Sequence, residues 1–181
     1  QKLVILEIKK KKFNLKKMTY KTSLKHQKKL FSWCDAVFFA PGRYLKNEVV
    51  ESAKNCKIFQ LWSSGFDKFN VKAAKKNNIT ICNNGSQNNI SVAEHAVMLM
   101  LSLNRKLIHF NNITKNGNWA GNSHGVDLFE MKNKVLGIIG FGNIGKTVAK
   151  ICSGFDMKII YFDTIKLSKK EERFHNVSYE S

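Results

Sequence analysis

A chain of 181 residues, 43% of them apolar, can build one large domain or two small ones with ordinary cores. Its formal net charge of +18 raises nucleic acid as a partner. The excess is nearly all Lys, with Arg43, Arg105 and Arg173 the only arginines, and Arg is the residue favoured for gripping phosphates and bases bidentately, so a dedicated nucleic-acid surface is not expected.

The chain opens on Gln1, and residues 3–8 form an apolar, strand-sized run followed by lysines at 9–12. That is the wrong order for a secretory leader, and the true start is expected upstream. Further strand-sized runs rich in Val, Ile and Phe follow at residues 36–39, 58–62, 79–82, 135–139 and 159–162. Between them, residues 45–55 and 71–77 place apolar side chains at helical spacing (Leu45, Val49, Val50, Ala53; Val71, Ala74). Continuous apolar strands alternating with helices predict an α/β fold with parallel sheets covered on both faces. No apolar run approaches the roughly 18 residues of a membrane span. Cys34, Cys56, Cys82 and Cys152 contain no CxxC pair, so reduced thiols in a cytoplasmic protein are expected, with neither a metal site nor a disulfide framework.

Residues 91–112 make the most strongly patterned helix. Ser91 and Glu94 fit a capping box, and Ala96 to Leu101 leave so little polar face that burial between other elements is expected. Gly117 marks its end. A domain boundary is placed near Asn88, giving a first domain at 1–87, a linker helix at 88–112 and a second domain at 113–181. The lysines at 169 and 170 are read as a solvated loop.

The run at 135–139 enters Gly140, Phe141, Gly142, Asn143, Ile144 and Gly145 and then a helical pattern, which is GxGxxG at a strand-to-helix turn. Its first glycine allows the tight turn, its second lets backbone approach a pyrophosphate, and its third lets helix and strand pack closely; the helix start offers free N–H groups and partial positive charge. A second strand ends in Asp163, 18 residues after Gly145, where a carboxylate can accept from both hydroxyls of an adenosine ribose. The same stretch satisfies GxxxxGK[ST] through Gly140, Gly145, Lys146 and Thr147, the phosphate loop of nucleoside triphosphatases. That reading gives no reason for Gly142 or for the acid. A plain tight turn is the third possibility.

The stretch KIFQLWSSGFDKFNVKAAKKNNITICNNGSQNNISVAEHAVMLMLSLNRKL resembles the D-isomer-specific 2-hydroxyacid dehydrogenases. DAVFFAPGRYLKNEVVESAKNCK before it is similar to that family's second strand and helix, and LFEMKNKVLGIIGFGNIGKTVAKICSGFDMKIIYFDT after it to its cofactor fingerprint. The likeness runs from about Asp35 to Asp163. It implies a flavodoxin-like substrate domain followed by part of a Rossmann NAD-binding domain, and hydride transfer between NAD and the α-carbon of a 2-hydroxy or 2-oxo acid. It implies that Ser63, Ser64 and Gly65 offer backbone N–H groups to the substrate carboxylate, although Trp62 and Ser63 stand where small residues and glycine are usual. Asn88 matches a position near substrate and nicotinamide. Gly140, Gly142, Asn143, Ile144 and Gly145 match the pyrophosphate turn, and Asp163 the ribose acid. His95 is read as a core or hinge residue. The family's catalytic arginine, glutamate and histidine come from later strands, and none of His26, His95, His109, His124 or His175 matches, so the resemblance implies an inactive amino-terminal fragment of a homodimeric enzyme. A phosphate-loop hydrolase and a non-catalytic basic nucleic-acid-binding module are the alternatives.

Overall fold

The computed structural model describes residues 13–19, 21–39, 45–67, 69–119 and 128–181. The expected strand at 3–8 and His124 lie outside the described residues. The chain divides into two compact units, 1–85 and 86–181.

In the first unit the order is α1 (Leu24–Trp33), β1 (Ala36–Phe39), α2 (Asn47–Glu51), β2 (Ile58–Leu61), α3 (Val71–Lys76) and β3 (Thr80–Cys82). The strands pair in parallel in the order β1-β2-β3, with Ala36 opposite Ile58 and Ile58 opposite Thr80. Helix α1 is set by Ser23, whose side chain accepts from the His26 N–H, and α3 by Asn70, which accepts from Ala73. Phe59 anchors the core from the middle of β2, with the rings of Phe31, Phe39 and Phe69 at 5.8, 6.1 and 5.8 Å. Val49, Val50, Ala53, Ala73, Ala74 and Ile79 close around it. Helix α1 had no counterpart in the apolar spacing.

The second unit holds α4 (Asn89–Asn104), α5 (Leu107–Lys115), β4 (Val135–Ile139), α6 (Asn143–Ser153), β5 (Lys158–Phe162), α7 (Lys169–His175) and β6 (Val177–Tyr179). Its strands are parallel in the order β4-β5-β6, with Val135 opposite Lys158 and Ile159 opposite Val177. Three expectations need correcting. The helix expected at 91–112 is two helices. The Asn104 carbonyl accepts the Phe129 N–H at 3.1 Å and Lys106 takes a left-handed φ of 46°, which ends α4 before α5 begins. The helix also starts earlier, at Asn89 behind Asn88, so Ser91 lies inside it and caps nothing. Finally, Lys169 and Lys170 open α7, whose Ser168 and Glu171 form a true capping box.

Coverage also differs from expectation. Ala93 and Val97 of α4 pack with Val148, Ala149 and Cys152 of α6 and with Ile159 and Tyr161 of β5. Leu136 and Ile138 face this core, whereas Val135 and Ile139 on the opposite face of β4 are exposed, Ile139 by 90%. Within this unit, then, the helices cover one face of the sheet. Helix α4 is likewise buried on one side only, with Met98, Leu99 and Leu103 exposed. Gly117, at φ 74°, follows the end of α5. Cys56 and Cys152 are buried and all four cysteines are free thiols.

Candidate functional site

The turn between β4 and α6 is built from residues that only glycine could occupy at two of its three glycine positions. Gly140 has φ 91°, and its N–H continues the sheet by donating to Phe162 at 2.8 Å. Gly145 sits under the first turn of α6, where an added Cβ would overlap the Gly140 carbonyl oxygen and lie 3.2 Å from Ile138 Cγ2. Gly142 is the N-cap of α6, its backbone is ordinary, and a Cβ there would meet nothing within 4 Å. Space is therefore left open in front of the helix start, while strand and helix are in contact behind it. The first intrahelical bond runs from the Lys146 N–H to the Gly142 carbonyl at 2.9 Å, so the backbone N–H groups ahead of Lys146 face the open end, as an anion requires.

Asp163 closes β5 beside this turn. One oxygen accepts the Phe141 N–H at 2.6 Å; the other accepts from the Ile165 N–H and the Thr164 hydroxyl, both at 3.2 Å. The Phe141 N–H, followed by that of Ile165, holds the carboxyl below its usual 3.8. The acid is thus ionised and fixed against the glycine turn. Nearby, the Lys166 ammonium lies 4.4 Å from the centroid of the Tyr179 ring. Phe141 is buried against Tyr161 at 4.6 Å and meets the His175 ring edge-on at 5.7 Å.

This geometry removes the triphosphatase reading. Only Phe141 and Gly142 separate Gly140 from the helix, so there is no wide loop of N–H groups to wrap a phosphate, and Lys146 and Thr147 lie inside α6. The Thr147 hydroxyl donates to the Asn143 carbonyl at 2.8 Å. The donor set does fit a dinucleotide, with a glycine-lined opening at a helix start and an acid at the end of the next strand. A cavity of about 640 Å³, lined by Lys158, Lys169, Arg173 and Asn176 among others, opens at the amino-terminal ends of β5 and β6, away from the turn.

In the first unit, Ser63, Ser64 and Gly65 follow β2. The Ser63 carbonyl accepts the Asn84 N–H at 3.1 Å and the Ser64 carbonyl accepts Asn83 Nδ2 at 2.8 Å. In trans peptides N–H and C=O point opposite ways, so the N–H groups of Ser64 and Gly65 are directed away from residues 83 and 84. The Ser63 hydroxyl donates to the Gly65 carbonyl at 2.5 Å and stiffens the loop. Gly65 is not demanded by its own surroundings, since a Cβ would sit in ordinary contact, 3.5 Å from Asp67 Oδ2. Asn88 is the N-cap of α4 and its side chain makes no capping bond. His95 is exposed on α4, which removes the core alternative of the core-or-hinge expectation. Ser86 and Asn89 were not singled out in the sequence, because nothing in their spacing reveals that they reach α6. Asn143 Nδ2 donates to Ser86 Oγ at 2.5 Å, and Asn89 Nδ2 donates to Thr147 Oγ1 at 3.3 Å.

Residues 97–181 match the family model described as the D-isomer specific 2-hydroxyacid dehydrogenase, NAD binding domain. The chain is 38% identical over 119 residues to the hydroxypyruvate reductase of Thermotoga maritima, covering 66% of this chain and 38% of that protein. It is 34% identical over 127 residues to the D-3-phosphoglycerate dehydrogenase of Archaeoglobus fulgidus, covering 70% and 24% respectively. By these matches the chain is similar, over about two thirds of its length, to the D-isomer-specific 2-hydroxyacid dehydrogenases. Among solved structures, the NAD-dependent formate dehydrogenase of Staphylococcus aureus in complex with NAD matches with a TM-score of 0.79 and 26% identity, over 100% of this chain and 54% of that one. The chain spans well under half the length of the two curated relatives. Nothing in these comparisons supports a triphosphatase or a nucleic-acid-binding module. Among the described residues no helix is long and apolar enough to cross a membrane, and no group of three or more His, Cys, Asp or Glu could hold a metal ion.

Proposed function

We propose that the chain supplies substrate- and cofactor-binding parts of an NAD-dependent 2-hydroxyacid dehydrogenase acting in the cytoplasm. The observation that carries this is the bond from Phe141 N–H to Asp163, which sets an ionised acid against the glycine turn at the start of α6. On this reading the N–H groups of Asn143 and Ile144 hold the pyrophosphate, Gly140, Gly142 and Gly145 give it access, and Asp163 accepts from the ribose hydroxyls. NAD would exchange a hydride with the α-carbon of a 2-hydroxy or 2-oxo acid. Backbone N–H groups of the loop formed by Ser63, Ser64 and Gly65 would receive that acid's carboxylate, with Asn88 near the reacting end. The domains are taken as 1–87 and 113–181 with a linker helix between, and the exposed Met98, Leu99 and Leu103 of α4 support a homodimer. No histidine of the chain is given a catalytic role.

A carboxylate at the ribose disfavours a 2′-phosphate, because two anions would share the site. Lys166, held over Tyr179, is directed to a ring and not to that position. Titration with NADH and NADPH should therefore show at least a roughly tenfold preference for NADH, about 1.4 kcal/mol, and Asp163→Ala should narrow it. NADPH binding as tightly as NADH, with a ratio the variant leaves unmoved, would refute the assignment.

A further inference from the structure

The start of α6 is held in an unusual way. Its N-cap is Gly142, which has no side chain to bond the first-turn N–H groups, so the cap cannot itself fix the directions in which they point. Two polar contacts from the start of α4 stand in its place. Asn143, the first helical residue, donates its side-chain amide to Ser86 Oγ at 2.5 Å. Its carbonyl accepts the Thr147 hydroxyl at 2.8 Å, and that hydroxyl accepts from Asn89 Nδ2 at 3.3 Å. Asn143 is thus clasped at both its side chain and its backbone by residues three positions apart in the segment that begins α4. Below the clasp, Ala93 and Val97 belong to the same apolar cluster as Val148 and Ala149, which fixes the two helices beside each other.

Resting on the cofactor reading above, we infer that Ser86 and Asn89 are positioning residues for the cofactor's pyrophosphate. They act through Asn143 and touch no reacting atom. Charge-assisted bonds from backbone N–H groups to a phosphate depend on direction, and a helix start free to fray would order those groups only on binding. The clasp orders them beforehand. It also assigns the Asn143 amide to Ser86, leaving the backbone N–H of Asn143 as the group directed at phosphate.

The test is equilibrium titration of the 181-residue chain with NADH, with ADP, which keeps the pyrophosphate, and with adenosine, which lacks it. Ser86→Ala should weaken NADH and ADP by the same factor, roughly threefold to tenfold for one lost orienting hydrogen bond. Adenosine binding and Tm should be unchanged. Ser86→Thr, which keeps the hydroxyl, should restore most of the affinity, and Asn89→Ala should repeat the phosphate-selective loss more weakly. Wild-type affinity for ADP in both Ser86→Ala and Asn89→Ala would overturn the inference while leaving the cofactor reading intact. So would an equal loss for adenosine and ADP, which marks general loosening. Failure of the unaltered chain to bind either NADH or ADP would overturn the cofactor reading itself, and the inference with it.

Discussion

Replacing Gly145 by Ala separates the two jobs assigned to the glycine turn. The new methyl group would overlap the Gly140 carbonyl oxygen and press on Ile138 Cγ2 at 3.2 Å. That carbonyl belongs to a residue whose N–H is bonded to Phe162 at 2.8 Å, so the strand side cannot yield. Helix α6 must move instead, against the packing of Val148, Ala149 and Cys152. Overpacking of this kind costs about 1–3 kcal/mol, and a carbonyl obstacle places it toward the upper end. Alanine returns up to about 1 kcal/mol through helix propensity. The net loss is therefore about 1–2 kcal/mol, which in a unit of this size lowers Tm by roughly 5–15 °C. Calorimetry of the chain, following the transition of the second unit, reads it directly. Gly142→Ala is the contrasting variant, since its methyl group meets nothing and its φ of −77° is ordinary. It should leave Tm within about 2 °C of the parent, as surface changes do, while weakening NADH by at least about tenfold because the methyl group fills space a phosphate must enter. A Gly145→Ala protein that melts with the parent, or a Gly142→Ala protein destabilised as much, would show that the close approach is not where the packing places it.

The Asp163 carboxyl is held below 3.8 by the Phe141 N–H first and that of Ile165 second. A lowered folded value stabilises the protein above the unfolded pKa and is lost as pH falls through the folded one. NADH affinity and the second unit's Tm should therefore owe nothing to Asp163 titration between pH 7 and about 5. Below about pH 4 the Tm of the parent should fall more steeply than that of Asp163→Asn, and parallel curves would refute the coupling. In the first unit, Gly65→Ala should fold normally because its methyl group finds only ordinary contact. Gly65→Val, with a stiff branched side chain, should weaken 2-oxo acid binding by roughly tenfold at saturating NADH without changing NADH affinity; unchanged acid binding in a folded Gly65→Val protein would remove the loop from the substrate site.

Strands β1 to β5 were legible because β-branched and aromatic runs bounded by polar segments define them, and β1 and β4 fall on the expected residues; β6, three residues with only Val177 buried, was not expected. The glycine turn was legible because each glycine answers a geometric demand, two of which the structure displays at Gly140 and Gly145. Helix α1 was not, since its sequence is mostly lysine and polar residues and only Phe31 is buried. The Ser86 and Asn89 clasp was not either. It joins residues 57 and 58 positions apart, and no local pattern encodes which polar side chains meet across two packed helices.

The two S-x-x-E sequences show where local pattern stops deciding. Ser168 and Glu171 form the capping box the pattern promises, with Ser168 at φ −65°, ψ 156° accepting from the Glu171 N–H. Ser91 and Glu94 carry the same letters, yet Ser91 lies three residues into a helix. The difference is upstream. Ser168 follows Ile165, Lys166 and Leu167, whose path is fixed by the Asp163 bond to the Ile165 N–H and by the Tyr161 hydroxyl bond to the Leu167 N–H at 2.9 Å. The chain therefore reaches Ser168 already extended, and the helix can begin only there. Before Ser91, by contrast, Asn88 can itself take the N-cap place, and Asn89 can be drawn into the first turn by its bond to Thr147 on α6. A capping box marks a helix start only when nothing earlier starts the helix first, and here a tertiary contact does so two residues sooner. That same early start brings Asn89 within reach of α6, so the feature that defeated the sequence pattern is also the one that ties α4 to the helix behind the glycine turn.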